Sequence, residues 1–407
     1  MGPQVIEKLA SRIESERARR EPPAGFPALP DIPPGRYTDG DFLALEAEHL
    51  WHKAWLYAAH VDELPAPGSY KLWQRNGSPI VILRDHDDDI RAFYNICRHR
   101  GGPLVTAEAG TLDGGLVCNY HGWTYNLGGE LVNLRDRRDF IGLDRSCRNL
   151  VPVRCERLGN WLFITEDPDA PALKDYLGPV HEYFMSLPLD SLRLVSHETF
   201  EVHCNVKLLL EGFLEVYHLK SVHAGTVDRF LDYRGTTITL FPNGHSLMLS
   251  PNRKPDWEDP GTRGLPEMAG TTDFDRRNSA SFNIFPNLVT PLAPAGLPFN
   301  IVWPQTADTA ILEVTWFAAD DPAARNEDVW TTRRSNYNRI LGEDLPLVEK
   351  IQVAMDSPGA RGVPLSYQER RIYHWHAELD RRLGAQRIPE ALRVAPLLDD
   401  WMEHGWT

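Results

Sequence analysis

Polar and apolar positions change rhythm several times along the chain. Residues 1–20 are charged and helical in pattern, with no apolar signal core. Prolines at positions 22, 23, 30, 33 and 34 then favour an extended run over a surface, because proline resists both helix and sheet. A helix is predicted near Asp41 to His52. From Trp55 to about Glu166 the pattern shortens to β-branched runs, Ile80–Leu83, Ile90–Tyr94 and Leu116–Cys118, divided by Gly, Asp and Asn turns. Val153 to Thr165 reads as a closing strand pair. This density of short strands predicts a small antiparallel β domain. Leu173 to Leu187 reads as a helix. Beyond Ser196, strands at Thr236–Leu240, His245–Leu249, Ser281–Phe285, Asn300–Trp303 and Ala310–Phe317 mix with long helices at Asn205–Ser221 and Asp328–Met355. The second region is therefore expected to be an antiparallel sheet wrapped around a helix, and the chain as a whole α+β.

Composition narrows this picture little. The 407 residues suffice for two or more domains. The net charge of −14 argues against nucleic acid or an anionic membrane as partner. No run of eighteen apolar residues exists to span a bilayer. The cysteine count is odd at five, and Cys147, Cys155 and Cys204 show no pairing pattern, which fits a reducing cytoplasm.

The chemistry is concentrated in two places. Cys97-Arg98-His99 is followed, eighteen residues on, by Cys118-Asn119-Tyr120-His121. Two Cys and two His in two Cys-His pairs can hold zinc, or a [2Fe–2S] cluster in which two His replace two Cys on one iron. A Gly follows each pair, at 101 and 122, where backbone N–H groups can approach cluster sulfurs. A longer hairpin is expected around Asp113-Gly114-Gly115. The second place is Asn205 to His223. Glu211, Glu215 and His218 stand at i, i+4 and i+7, a polar stripe on an apolar helix that must find partners. His223 lies off that face, so the helix is expected to loosen after His218.

These residues resemble a known family. Cys97–His99, Cys118–His121 and the following Trp123-Thr124-Tyr125-Asn126-Leu127-Gly128-Gly129 are similar to the Rieske domain of the ring-hydroxylating Rieske non-haem iron oxygenases. The resemblance runs from about Trp51 to Leu383. It implies a small β Rieske domain and a helix-grip catalytic domain, with an arm at 1–50, the Rieske domain at 51–170 and the catalytic domain at 171–407. It implies Cys97, His99, Cys118 and His121 as cluster ligands, and His218 and His223 as ligands of a mononuclear Fe(II). Glu343-Asp344 through Gln352 resembles the family's carboxylate segment. Asp344 is the matching ligand, with Glu343 and Glu349 as the fallbacks.

Glu215 matches the family's acidic residue that links a Rieske His of one subunit to an iron-ligand His of its neighbour. Its length, Glu where many members have Asp, resembles members acting on quaternary ammonium substrates. The resemblance further implies a head-to-tail homotrimer, because one subunit's own two centres would be too far apart. It also implies electrons from a separate NAD(P)H-dependent flavin/iron–sulfur reductase or a ferredoxin. No nicotinamide or flavin Gly fingerprint occurs in the chain. The expected activity is hydroxylation of an aromatic compound or aromatic acid with O2. The alternatives are oxidation of a quaternary ammonium or N-/O-methyl substrate and, more remotely, electron transfer alone. Phe230, Tyr233, Phe241, Phe282, Phe285 and Trp303 are expected pocket aromatics, and Arg229, Arg234 and Arg253 candidates for a substrate carboxylate.

Overall fold

The computed structural model describes residues 2–406. They fall into two compact units, Trp51–Leu173 and a larger one formed by Met1–Leu50 with Lys174–Thr407. The N-terminal arm thus shares a unit with the C-terminal part of the chain, and the second boundary lies three residues beyond the expected position 170.

The smaller unit is all antiparallel. Strands β1 (Leu56–His60), β2 (Ser69–Arg75), β3 (Ser78–Arg84), β4 (Ile90–Tyr94), β5 (Ala109–Thr111), β6 (Leu116–Val117), β7 (Thr124–Tyr125), β8 (Leu131–Asn133), β9 (Pro152–Leu158) and β10 (Trp161–Thr165) divide between two sheets. One has the order β1-β10-β9-β4-β3-β2-β5, and the other, three-stranded, the order β6-β7-β8. The turn at Gly114 is not the tip of a hairpin. It joins β5, which pairs with β2, to β6, which pairs with β7. Apolar alternation drives the closure: Val81, Leu83, Phe93, Leu116, Tyr125 and Leu131 meet in one buried cluster that also contains Cys97 and Cys118.

The larger unit holds seven strands: β11 (Leu192–Val202), β12 (Thr237–Leu240), β13 (Ser246–Pro251), β14 (Asn278–Ile284), β15 (Leu288–Leu292), β16 (Leu297–Pro304) and β17 (Ala310–Ala319). They form an antiparallel sheet in the order β11-β17-β16-β15-β14-β13-β12. The helices that matter to the site are α1 (Pro3–Ala18), α2 (Pro179–Met185), α3 (Val206–Glu211), α4 (Leu219–Val222), α5 (Glu327–Met355) and α6 (Arg370–Leu383). Tyr337 of α5 bonds Asn300 of β16, and Arg371 of α6 bonds Ser246 of β13. Asn300, Val289, Asn283 and Ser246 are successive cross-strand partners, so they share one face of the sheet, and both helices lie on that face.

The expected helix Asn205–Ser221 is interrupted. Helical bonding ends at Glu211, where Phe213 and Leu214 turn back onto Leu210 and Glu211 by three-residue bonds, and resumes at Leu219. Gly212 at the break lowers the cost of leaving the helix. The loosening therefore precedes His218 rather than following it. No helix among the described residues is long and apolar enough to cross a membrane.

Candidate functional site

Two turns of the smaller unit carry the Cys-His pairs. Cys97 N–H donates to the Gly102 carbonyl at 2.8 Å, and Cys118 N–H to the Trp123 carbonyl at 2.9 Å. Each loop is thereby closed around its Cys-His pair. Gly101 and Gly122 sit at φ +75° and +70°, a conformation that L side chains rarely adopt. A Cβ at Gly102 would stand 3.3 Å from Cys118 Sγ, so glycine keeps that approach open. The two thiols are 2% exposed, while the two imidazoles lie nearer the surface, 4.5 Å apart by ring centroid. Trp123 stacks on His99 at 4.9 Å and fixes its plane. His99 Nδ1 is buried without a partner among the described residues. Tyr125 Oη lies 3.4 Å from Cys97 Sγ and accepts the Arg98 N–H at 2.9 Å. Two buried sulfurs beside two imidazoles, one with an orphaned ring nitrogen, fit a [2Fe–2S] cluster of mixed ligation.

The second centre forms beyond the break after α3. His218, His223 and Asp344 offer ligand atoms that all lie within 4.8 Å of one another. Asp344 Oδ1 is 3.1 Å from His223 Nε2 and 3.8 Å from His218 Nε2. Each imidazole is held from behind by its own carboxylate. Glu215 Oε1 contacts His218 Nδ1, and Glu343 Oε2 lies 2.6 Å from His223 Nδ1. A His bonded through Nδ1 to a carboxylate presents Nε2 as the free ligand atom. Burial works against charge on Glu343, but hydrogen bonds from Thr226 and His223 outweigh it and hold its carboxyl below the ordinary range. Burial also opposes the His223 cation, yet hydrogen bonds to Asp344 and Glu343 raise its pKa. Two imidazoles and one carboxylate converging on a point fit Fe(II) with open positions.

The three acidic candidates separate by geometry. Asp344 faces both Nε2 atoms, Glu343 faces His223 Nδ1, and Glu349 accepts the backbone N–H of His203 at 3.1 Å. Gln352 accepts from the Asn205 backbone at 2.8 Å. The segment Glu349 to Gln352 thus anchors the start of α3. Asp344 lies inside α5, two residues before the internal Pro346. Glu211 leaves the polar stripe. Its carboxylate bonds the Tyr37 hydroxyl at 2.9 Å and His376 Nε2 at 2.8 Å, and burial pushes its pKa up to about 8.

Most of the expected pocket aromatics belong to the core. Phe282 packs on Tyr183 and Phe184 of α2, on the sheet face away from Ser281 and Asn283. Trp303 lies three residues beyond Asn300, hence on the face opposite α5, and donates to Glu313 at 2.8 Å. Phe241 packs on Trp406 and Phe285 on Trp375. Phe230 and Tyr233 pack against the cluster containing Leu208, Val216 and Leu219, and Phe230 stacks on Trp257 at 3.9 Å. Arg234 and Arg253 reach solvent, and Arg253 pairs with Asp228.

Comparison with known proteins accords with both centres. Residues 54–145 match the model of the Rieske [2Fe-2S] domain, and residues 189–385 that of the ring hydroxylating alpha subunit (catalytic domain). The carnitine monooxygenase oxygenase subunit of Escherichia coli K12 is 34% identical over 353 residues, 84% of this chain and 89% of that protein. The glycine betaine monooxygenase oxygenase subunit of Chromohalobacter salexigens is 31% identical over 207 residues; the match spans 50% of this chain and 46% of that protein. Among solved structures, a quaternary ammonium Rieske monooxygenase superposes with a TM-score of 0.72 at 24% identity, covering 90% of this chain and 99% of that one. Naphthalene 1,2-dioxygenase from Rhodococcus gives 0.70 at 21%, covering 95% and 100%.

Proposed function

Because the chain belongs to the Rieske non-haem iron oxygenases with a ring-hydroxylating alpha-subunit catalytic domain, we propose that it is the terminal oxygenase for a quaternary ammonium substrate. The observation that carries this reading is the 34% identity to the Escherichia coli carnitine monooxygenase oxygenase subunit across 89% of that protein. Glu at position 215 supports it. The expectation of an aromatic substrate gives way accordingly, since the relative matched over nearly its whole length acts on carnitine.

Cys97, His99, Cys118 and His121 hold the cluster; His218, His223 and Asp344 hold the iron. When bound, the cluster supplies single electrons and the iron supplies the open positions for dioxygen chemistry. The protein's part is orientation. Glu215 and Glu343 keep each Nδ1 engaged and each Nε2 turned inward. Glu215 has a second oxygen that accepts the backbone N–H of His218 at 3.2 Å, which fixes the carboxylate in place. Electrons come from a reductase on another polypeptide, and the chain works as a head-to-tail trimer in which Glu215 meets a Rieske histidine of a second copy.

The test is oxygen uptake by the purified enzyme with a surrogate reductase, across carnitine, glycine betaine, choline and a set of aromatic acids. Coupled oxygen consumption with a trimethylammonium compound, accompanied by its oxidised product, supports the reading. Coupled turnover confined to the aromatic acids overturns it.

A further inference from the structure

Between β8 and β9 the smaller unit carries residues 134–151, longer than the roughly 12–15 residues beyond which a connection is usually functional. Its return is pinned. Asn149 Oδ1 accepts the Leu131 N–H at 3.0 Å, and Leu150 N–H donates to the Gly129 carbonyl at 2.8 Å. Phe140 and Leu143 pack inward on the apolar cluster that contains Cys97 and Cys118. Ile141 and Gly142, between them, are held outward, with Gly142 at φ +71° in the turn. Ile141 is 98% exposed, and Val132, whose carbonyl accepts from Arg145 of the same connection, is half exposed. The rim around them is basic. Residues 135–148 hold five arginines against three aspartates, in a chain whose net charge is −14. Arg135, Arg137 and Arg148 are exposed and make no ion pair among the described residues, and Arg138 only approaches Asp139 at 3.7 Å. An apolar centre ringed by arginines has the anatomy of a protein contact.

The ring contacts place this turn relative to the Cys-His loops. Tyr120 lies against His121 at 3.9 Å, His121 against His99 at 4.5 Å, and His99 against Trp123 at 4.9 Å and Phe140 at 5.8 Å. Phe140 also meets Trp123 at 5.7 Å. The rings thus form a row with two ends. At the His121 end stands Tyr120, 60% exposed, with Arg100 over its ring. At the His99 end stands Phe140, whose next residue is the protruding Ile141. An electron relay needs two such faces, one for the supplier and one for the receiver. The His121 end, open beside Tyr120, is the one available to Glu215 of a second copy. The His99 end remains, and there a single ring separates the basic turn from a cluster ligand.

We propose that the 135–148 turn is the landing surface of the electron donor, an acidic iron–sulfur protein or domain that seats on Ile141 and the surrounding arginines and delivers from the His99 side. This rests on the electron supply and the trimer proposed above, and adds the face on which the donor lands. One electron leaves the donor's reduced centre and is gained by the cluster that Cys97, His99, Cys118 and His121 hold; no bond is made or broken. The charge pattern also sets orientation. An acidic donor is repelled by a chain that is negative overall and attracted where the arginines gather, so it is steered towards the cluster before contact.

The experiment uses the cluster- and iron-loaded enzyme with an acidic plant-type ferredoxin as probe. Calorimetry measures binding of the oxidised pair, and stopped-flow absorbance follows cluster reduction by the reduced ferredoxin. The unmodified enzyme should bind the probe, with affinity and rate both falling steeply as salt is raised. The triple variant Arg135→Glu, Arg137→Glu, Arg138→Glu should lower the low-salt rate constant about tenfold or more and flatten its salt dependence. Ile141→Ala should weaken binding and leave the salt dependence as it was. Single turnover of chemically pre-reduced enzyme should be unchanged in both variants, because passage to the iron does not use this face. No binding by the unmodified enzyme, or equal rates for it and the triple variant, would overturn the proposal; the first of these stands even if the variants do not fold. A triple variant that loses its oligomeric state or its single turnover assigns the turn to the contact between copies, which also overturns it. Salt-sensitive ferredoxin binding by an unmodified enzyme that shows no single turnover keeps the landing surface and removes the oxygenase reading.

Discussion

Glu343 Oε2 lies 2.6 Å from His223 Nδ1 and also accepts the Thr226 hydroxyl at 2.7 Å, so the carboxylate next to Asp344 in sequence grips the back of the imidazole that Asp344 faces. Two adjacent residues of one helix thereby address opposite sides of one ring. Glu343→Ala should weaken iron binding by roughly 10–100-fold, the range for an outer-shell partner of a metal histidine. Glu343→Gln, which keeps an acceptor oxygen, should lose less. Iron content measured against free metal concentration checks this, with the cluster absorbance as an internal control.

Glu215→Ala should leave cluster and iron in place and slow turnover severely. Near-normal turnover would remove the bridging role. The subunit arrangement has its own check. Co-expressed chains carrying His99→Ala and His218→Ala should together regain activity that neither homo-oligomer has, because a neighbour's intact cluster serves an intact iron site. Absence of any recovery in verified mixed oligomers would count against transfer between copies.

Tyr125→Phe removes the hydroxyl 3.4 Å from Cys97 Sγ. Hydrogen bonds to cluster sulfurs raise the reduction potential. The variant should therefore show a lower potential in redox titration, with its visible spectrum retained.

Glu211 gives a pH dependence. Burial raises its folded pKa to about 8, above the ordinary value of 4.5. Its neutral form is the one the fold favours, so its contribution to stability is complete below about pH 4.5 and is lost as pH rises through about 8. Thermal unfolding should show the wild type losing stability across that window relative to Glu211→Gln, whose amide does not ionise. Parallel curves for the two proteins would place the charge elsewhere.

Much of the site was legible because ligand chemistry leaves local spacing. The pairs Cys97–His99, Cys118–His121 and His218–His223 each sit within one turn or loop, so their separation in sequence carries the geometry. Asp344 needed the family resemblance, since a lone acid on a helix has no distinctive pattern. The bounds of strand β11 do not show in its sequence, LRLVSHETFEV, which is half-exposed and carries few consecutive apolar residues. The aromatics failed in the opposite sense. Phe282 and Trp303 look like pocket residues by type, yet the alternation of a strand puts them on the sheet face opposite α5 and α6.

Arg36 and Tyr37 reach from the N-terminal arm into the interior, where Arg36 meets Asp380 and His376, and Tyr37 meets Glu211. Shortening the protein to begin at Trp51 would strand an acid, an imidazole and a second acid in an apolar interior with their counterparts gone. The proline-rich leader is thus a keystone of the catalytic half, and trimming it for convenience of expression should yield insoluble material rather than a smaller enzyme.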